Sequence, residues 1–113
     1  MKKLFVSVPM RGRTEEEILT SIKKMHSIAE RNLGEELELI DSYSTESPPP
    51  NVNEAVWHLG KAIQKLAEAD YISVPTYIYG YKGCQIERDV ARAYGIDTVP
   101  ISPPDIWLAK GVD

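Results

Sequence analysis

The sequence predicts an α/β fold: a doubly wound, flavodoxin-like or Rossmann-like parallel sheet of about four strands in order 2-1-3-4, with helices on both faces. Three observations lead there. Short runs of β-branched and apolar residues alternate with longer runs at helical spacing, giving β-α-β-α-β-α-β, the signature of parallel strands joined by right-handed helical crossovers. The chain opens on its most apolar strand segment, Lys3 to Val8 (KLFVSV), which is most simply the buried centre of a sheet. And 113 residues without internal repeats support a single core but not two.

The elements follow in order. The first strand ends at Pro9, and Met10-Arg11-Gly12-Arg13 leads to Thr14 and Glu17, the S/T-x-x-E spacing of a capping box. Helix 1 therefore starts near Thr14. Ile18, Ile22, Met25, Ile28, Ala29 and Leu33 form its apolar stripe, and Gly34 stops it. Leu37 to Ile40 is a short second strand. From Tyr43 to Asn53 periodicity is lost and Pro48-Pro49-Pro50 stiffens the chain, as in a lid over a site or a poorly ordered excursion. Asn53 caps helix 2, whose inner face reads Val56, Leu59, Ala62 or Ile63, and Leu66. A third strand around Ile72 and Val74 empties through the aromatic loop Thr76 to Gly83 into helix 3, Cys84 to Tyr94, with Ile86, Val90, Ala91, Ala93 and Tyr94 as its apolar positions. A fourth strand, Thr98 to Ile101, ends the domain (residues 1–101). The tail (residues 102–113) carries Trp107, which calls for a surface on this subunit or a neighbour.

Composition narrows the function. The net charge of −4 and the pI near 5.2 argue against a nucleic-acid polymer as partner. The single cysteine, Cys84, leaves no internal disulfide and fits a reducing, cytoplasmic setting. No metal-ligand cluster stands out, so no metal or other cofactor is expected. The apolar run at residues 4–10 is too short to span or be exported through a membrane.

In open α/β sheets ligands collect at the carboxyl ends of strands where the order reverses, here the ends of strands 1 and 3. The Arg11 turn and the Tyr77 to Gly83 loop should thus face one crevice. Glu87 is the candidate nucleophile or base, since a helix dipole helps keep a carboxylate charged there; otherwise it merely decorates a first turn. Arg11 and Arg13 around Gly12 can grip a phosphate, or stay solvated. Tyr77, Tyr79 and Tyr81 can stack on a base or sugar, or pack on helix 2 or a second copy. His58 is a possible proton carrier on helix 2, against an ordinary surface histidine. His26 reads as structural or exposed, and Cys84 as a packing residue.

The opening KKLFVSVPMRGR, the run LGKAIQKLAEADYISVP, and Gly83-x-x-x-Glu87 followed by Ala91-x-Ala93-Tyr94-Gly95-Ile96 together resemble the nucleoside 2-deoxyribosyltransferase-like superfamily, in particular a group of short bacterial and phage domains within it. The resemblance covers residues 2–101. It implies enzymes that exchange or hydrolyse the N-glycosidic bond of 2′-deoxynucleosides or their 5′-monophosphates, acting as homodimers or larger homo-oligomers on a small-molecule nucleoside or nucleotide. It assigns the nucleophile to Glu87 and phosphate binding to the turn of Arg11 and Gly12. The substrate-binding residues expected are Ser7, Pro9, Met10, Arg11, Gly12, Arg13, Tyr77, Tyr79 and Gly83. The superfamily's tyrosine falls on Phe5, its aspartate on Ala62, and a second acidic or hydroxyl position on Tyr81. His58, Lys61 and Tyr81 are the groups available to replace the missing functions.

Overall fold

The structure, a computed structural model, describes residues 1–10, 12–76 and 81–101. The Arg11, Tyr77 and Tyr79 expectations and the Trp107 tail lie outside the described residues. Seven elements follow one another: β1 (Lys2–Val6), α1 (Glu15–Leu33), β2 (Leu37–Leu39), α2 (Glu54–Leu66), β3 (Tyr71–Pro75), α3 (Lys82–Ala93) and β4 (Asp97–Ile101). The four strands are all parallel and lie in the order β2-β1-β3-β4. This is the order read from the sequence.

Side chains of a strand alternate between faces, and β1 shows the consequence. Leu4, Val6 and Val8 join Ile18, Ile22, Met25 and Ala29 of α1, together with Val99 and Ile101 of β4, in one apolar layer. Phe5 turns the other way, with Ile72 of β3, Leu66 of α2 and Ala91 of α3. One helix thus covers one face and two cover the other.

The helix ends follow the sequence signals. Thr14 and Glu17 complete a reciprocal capping box, Thr14 Oγ1 accepting from the Glu17 amide at 3.1 Å and Glu17 Oε1 from the Thr14 amide at 3.0 Å. Gly34 closes α1 in the left-handed conformation (φ 71°), where a side chain would be strained. His26 is structural: its Nε2 lies 2.8 Å from the Leu37 carbonyl, and Glu30 beside it accepts from the Leu37 amide, pinning β2 to α1. Asn53 caps α2 as expected, through Oδ1 to the Val56 amide at 3.0 Å.

Four positions depart from the expected apolar faces, Ala93 at the exposed end of α3 among them. Val56 is 62% exposed, because the start of α2 turns Ala55, His58 and Leu59 toward the cavity instead. Ile86 is 42% exposed on the outer side of α3. Tyr94 is 81% exposed; it is the C-cap of a helix that has already ended at Ala93. Among the described residues, no helix is long and apolar enough to cross a membrane.

Candidate active site

β1 continues one residue beyond its ladder, the Ser7 amide donating to the Ser73 carbonyl at 2.9 Å. This fixes Ser7 at the carboxyl edge of the sheet, on the same face as Phe5, where α3 packs. Its hydroxyl donates to Glu87 Oε1 at 2.6 Å, across 80 residues of sequence. Ser7 is 1% exposed. It does not line the cavity described below, so it stands behind Glu87 rather than against a substrate.

Glu87 forms one wall of a cavity of about 780 Å³ at the carboxyl ends of β1 and β3. That volume lies in the range of small-molecule sites. The floor comes from β1 and the turn after it, through Phe5, Val8, Pro9 and Met10. One side is the face of α2 carrying His58, Leu59, Lys61, Ala62 and Lys65, the other the start of α3 with Tyr81, Lys82, Gly83 and Cys84. Ser42, Tyr43 and Ser44 close the edge, so the first part of the proline-containing loop belongs to the wall. The described ends of the two loops expected to share a crevice, Met10 on one and Tyr81 to Gly83 on the other, do meet there.

The electrostatics of Glu87 differ from the sequence expectation. α3 begins at Lys82, two residues earlier than its periodicity suggests, so Glu87 lies beyond the first turn, where the dipole effect fades. Burial dominates and raises the carboxyl pKa from its ordinary 4.5 to about 7, with the Ser7 hydrogen bond pulling the other way. Near neutral pH the group is thus divided between acid and carboxylate. Cys84, buried one turn earlier, is pushed up to about 12, first by burial and further by the Glu87 charge, against the Ser7 hydrogen bond. It remains a thiol and packs against Val74.

Arg13 does not face the cavity. Its guanidinium donates to the carbonyls of Pro9 at 3.1 Å and Glu17 at 3.2 Å and to the hydroxyl of buried Ser21, binding the end of β1 to the first turns of α1. The expected phosphate grip is therefore replaced by a structural clamp. Burial lowers its pKa while Glu17 and Tyr81 oppose that; an arginine remains charged throughout. Gly12 turns with φ 77° and is exposed, outside the cavity lining. Tyr81 packs against Val74 and Cys84 while lining the cavity. His58 is exposed at the rim, edge-on to Trp57 at 5.0 Å between ring centres. Lys65 and Lys82 also line the cavity; for Lys65 the sequence signal is the spacing His58-x-x-Lys61-x-x-x-Lys65 on one face of α2. Among the described residues no cluster of three or more His, Cys, Asp or Glu is placed to hold a metal ion.

Compared with protein-family models, with curated proteins and with solved structures, the chain matches none of them.

The raised Glu87 pKa has a thermodynamic consequence. Between pH 4.5 and about 7 the unfolded chain has released this proton while the folded chain retains it, so this group makes stability fall as pH rises through that window. Glu87→Gln removes the titration. The substitution should raise the melting temperature at pH 8 by about 4 °C for each kcal/mol recovered, and by less at pH 5, as followed by thermal denaturation at both pH values.

Proposed function

We propose that the chain catalyses N-glycosidic bond chemistry on a nucleoside or nucleotide, with Glu87 as nucleophile. The observation that carries the reading is a carboxylate on the wall of a 780 Å³ cavity, held by a hydrogen bond from a buried serine. A glycosyl transition state is cationic at the anomeric carbon, and an anion held against it stabilises it. A Glu87 oxygen attacks the anomeric carbon as the carbon–nitrogen bond to the base breaks, and the bonding pair leaves with the base. The departing nitrogen takes a proton from His58 or Tyr81, which both face the cavity. Water or a second base then displaces Glu87, giving hydrolysis or transfer.

The superfamily resemblance supports this reading in one further way. Phe5, Ala62, Tyr81 and Glu87, the four positions it singles out, come from β1, α2 and the start of α3 and all line this cavity. Phe5 and Ala62 also favour the second reading, a non-catalytic nucleotide-binding or sensing protein, because they are apolar where the resemblance calls for a tyrosine and an aspartate.

Assembly into a homo-oligomer in the cytoplasm belongs to the same proposal. Val52 and Val56 beside and on α2, and Ile86 on α3, offer exposed apolar surface for a second copy. Sedimentation at micromolar concentration should show a dimer or larger species, and a lone monomer counts against it.

Incubation with 2′-deoxynucleosides and their 5′-monophosphates should release free base, and Glu87→Gln should abolish release. His58→Ala or Tyr81→Phe should slow it by roughly 10²–10⁴-fold if that side chain is the acid. Since the nucleophile must be ionised, kcat/KM should climb with pH to a plateau above about 7. Binding without base release from any substrate would select the second reading.

A further inference from the structure

We propose that the Glu87 cavity selects ligands carrying at least two phosphates, held along Lys61 and Lys65 of α2 and Lys82 of α3, with Glu46 paired to Lys61 in the ligand's place. The inference deepens the nucleotide reading by naming its phosphate class and rests on that reading for the nucleoside part.

Charge in the cavity runs against the chain. The protein is net −4, yet its described cavity lining holds three lysines and a single carboxylate, Glu87. Lys61 and Lys65 lie four residues apart with His58 three residues before Lys61, so all three project from one face of α2. From Lys61 to Lys65 the two lysine positions lie about 6 Å apart along the helix axis at 1.5 Å per residue. Lys82 approaches from the far side of the opening. A row of this length matches a chain of phosphates better than a single one, and lysine binds phosphate as a point charge that follows it on a flexible stem.

Two further observations favour phosphate over solvent. With Arg13 clamped between β1 and α1, these lysines are the cations that the described residues bring to the cavity. And Lys61 already holds an anion: Glu46, on the loop whose earlier residues Ser42 to Ser44 form the cavity edge, places Oε1 3.4 Å from Lys61 Nζ. The Trp57 ring lies under the same ammonium, 5.3 Å from its centre. A pair whose carboxylate is 62% exposed contributes little, so a phosphate of higher charge displaces it readily. Displacement frees the loop from Lys61 and so couples phosphate binding to the cavity edge.

The test measures binding by calorimetry in a Glu87→Gln background, which separates it from glycosidic turnover. Ligands are 2′-deoxyadenosine 5′-monophosphate and 5′-diphosphate, inorganic pyrophosphate and a short oligodeoxynucleotide. The diphosphate should bind about tenfold tighter than the monophosphate, pyrophosphate should compete with it, and rising salt should erode the preference. Lys61→Met with Lys65→Met should erase the preference by weakening diphosphate binding more than monophosphate binding, and Glu46→Gln, an exposed change that the fold tolerates, should tighten diphosphate binding. Equal affinity for the two nucleotides, a preference that survives the double lysine substitution, no effect of Glu46→Gln, or a preference for the oligodeoxynucleotide would each overturn the proposal. Base release from an unphosphorylated nucleoside alone would leave the proposed reaction standing and remove this inference.

Discussion

The hydrogen bond from Ser7 to Glu87 is the constraint on which the rest of the site depends. It joins the end of the central strand to the middle of the third helix, in a layer otherwise filled by Phe5, Ile72, Leu66 and Ala91. A carboxyl group in such surroundings must be neutral or well partnered. One hydroxyl is partnership enough to hold its direction but not to keep it fully ionised, and its titration near neutrality is the result. Each partner is in turn fixed by something larger: Ser7 by the sheet ladder to Ser73, Glu87 by a helix whose inner residues lie against both β3 and β4.

The cavity follows from the topology. With β1 and β3 adjacent at the centre, their crossovers run to opposite faces and their ends diverge, leaving space that α2 and the start of α3 only partly fill. The capping box and the Arg13 clamp set where α1 begins, so the turn after β1 reaches the cavity through Pro9 and Met10 and then departs. Ionisable groups from three separate stretches of chain are thereby gathered at one end of the sheet.

Local signals carried most of the fold into view. Helix 1 announced itself through Thr14, Glu17 and Gly34, and helix 2 through Asn53, because caps are written within a few residues of the ends they fix. The position of Glu87 beside the cavity was legible from its place after strand 3. Its charge state was not, since that depends on how deeply the sheet and Ser7 enclose it, and Ser7 lies 80 residues away. Arg13 looked like an anion grip because an arginine beside a glycine turn has that chemistry; only the fold reveals Pro9, Glu17 and Ser21 already accepting from it. Val56 fits an inner helical stripe by spacing, yet the helix rotates so that polar residues border the open cavity.

The central claim, that Glu87 meets the anomeric carbon of a sugar in this cavity, is open to a direct measurement. A nucleotide fluorinated at the 2′ position slows the second displacement and lets the sugar–enzyme ester accumulate. Mass spectrometry of the intact protein should then show one added sugar phosphate with the base lost, and peptide mapping should place it on Glu87. An adduct on another residue, or none while the protein still releases base from the natural nucleotide, would contradict the account.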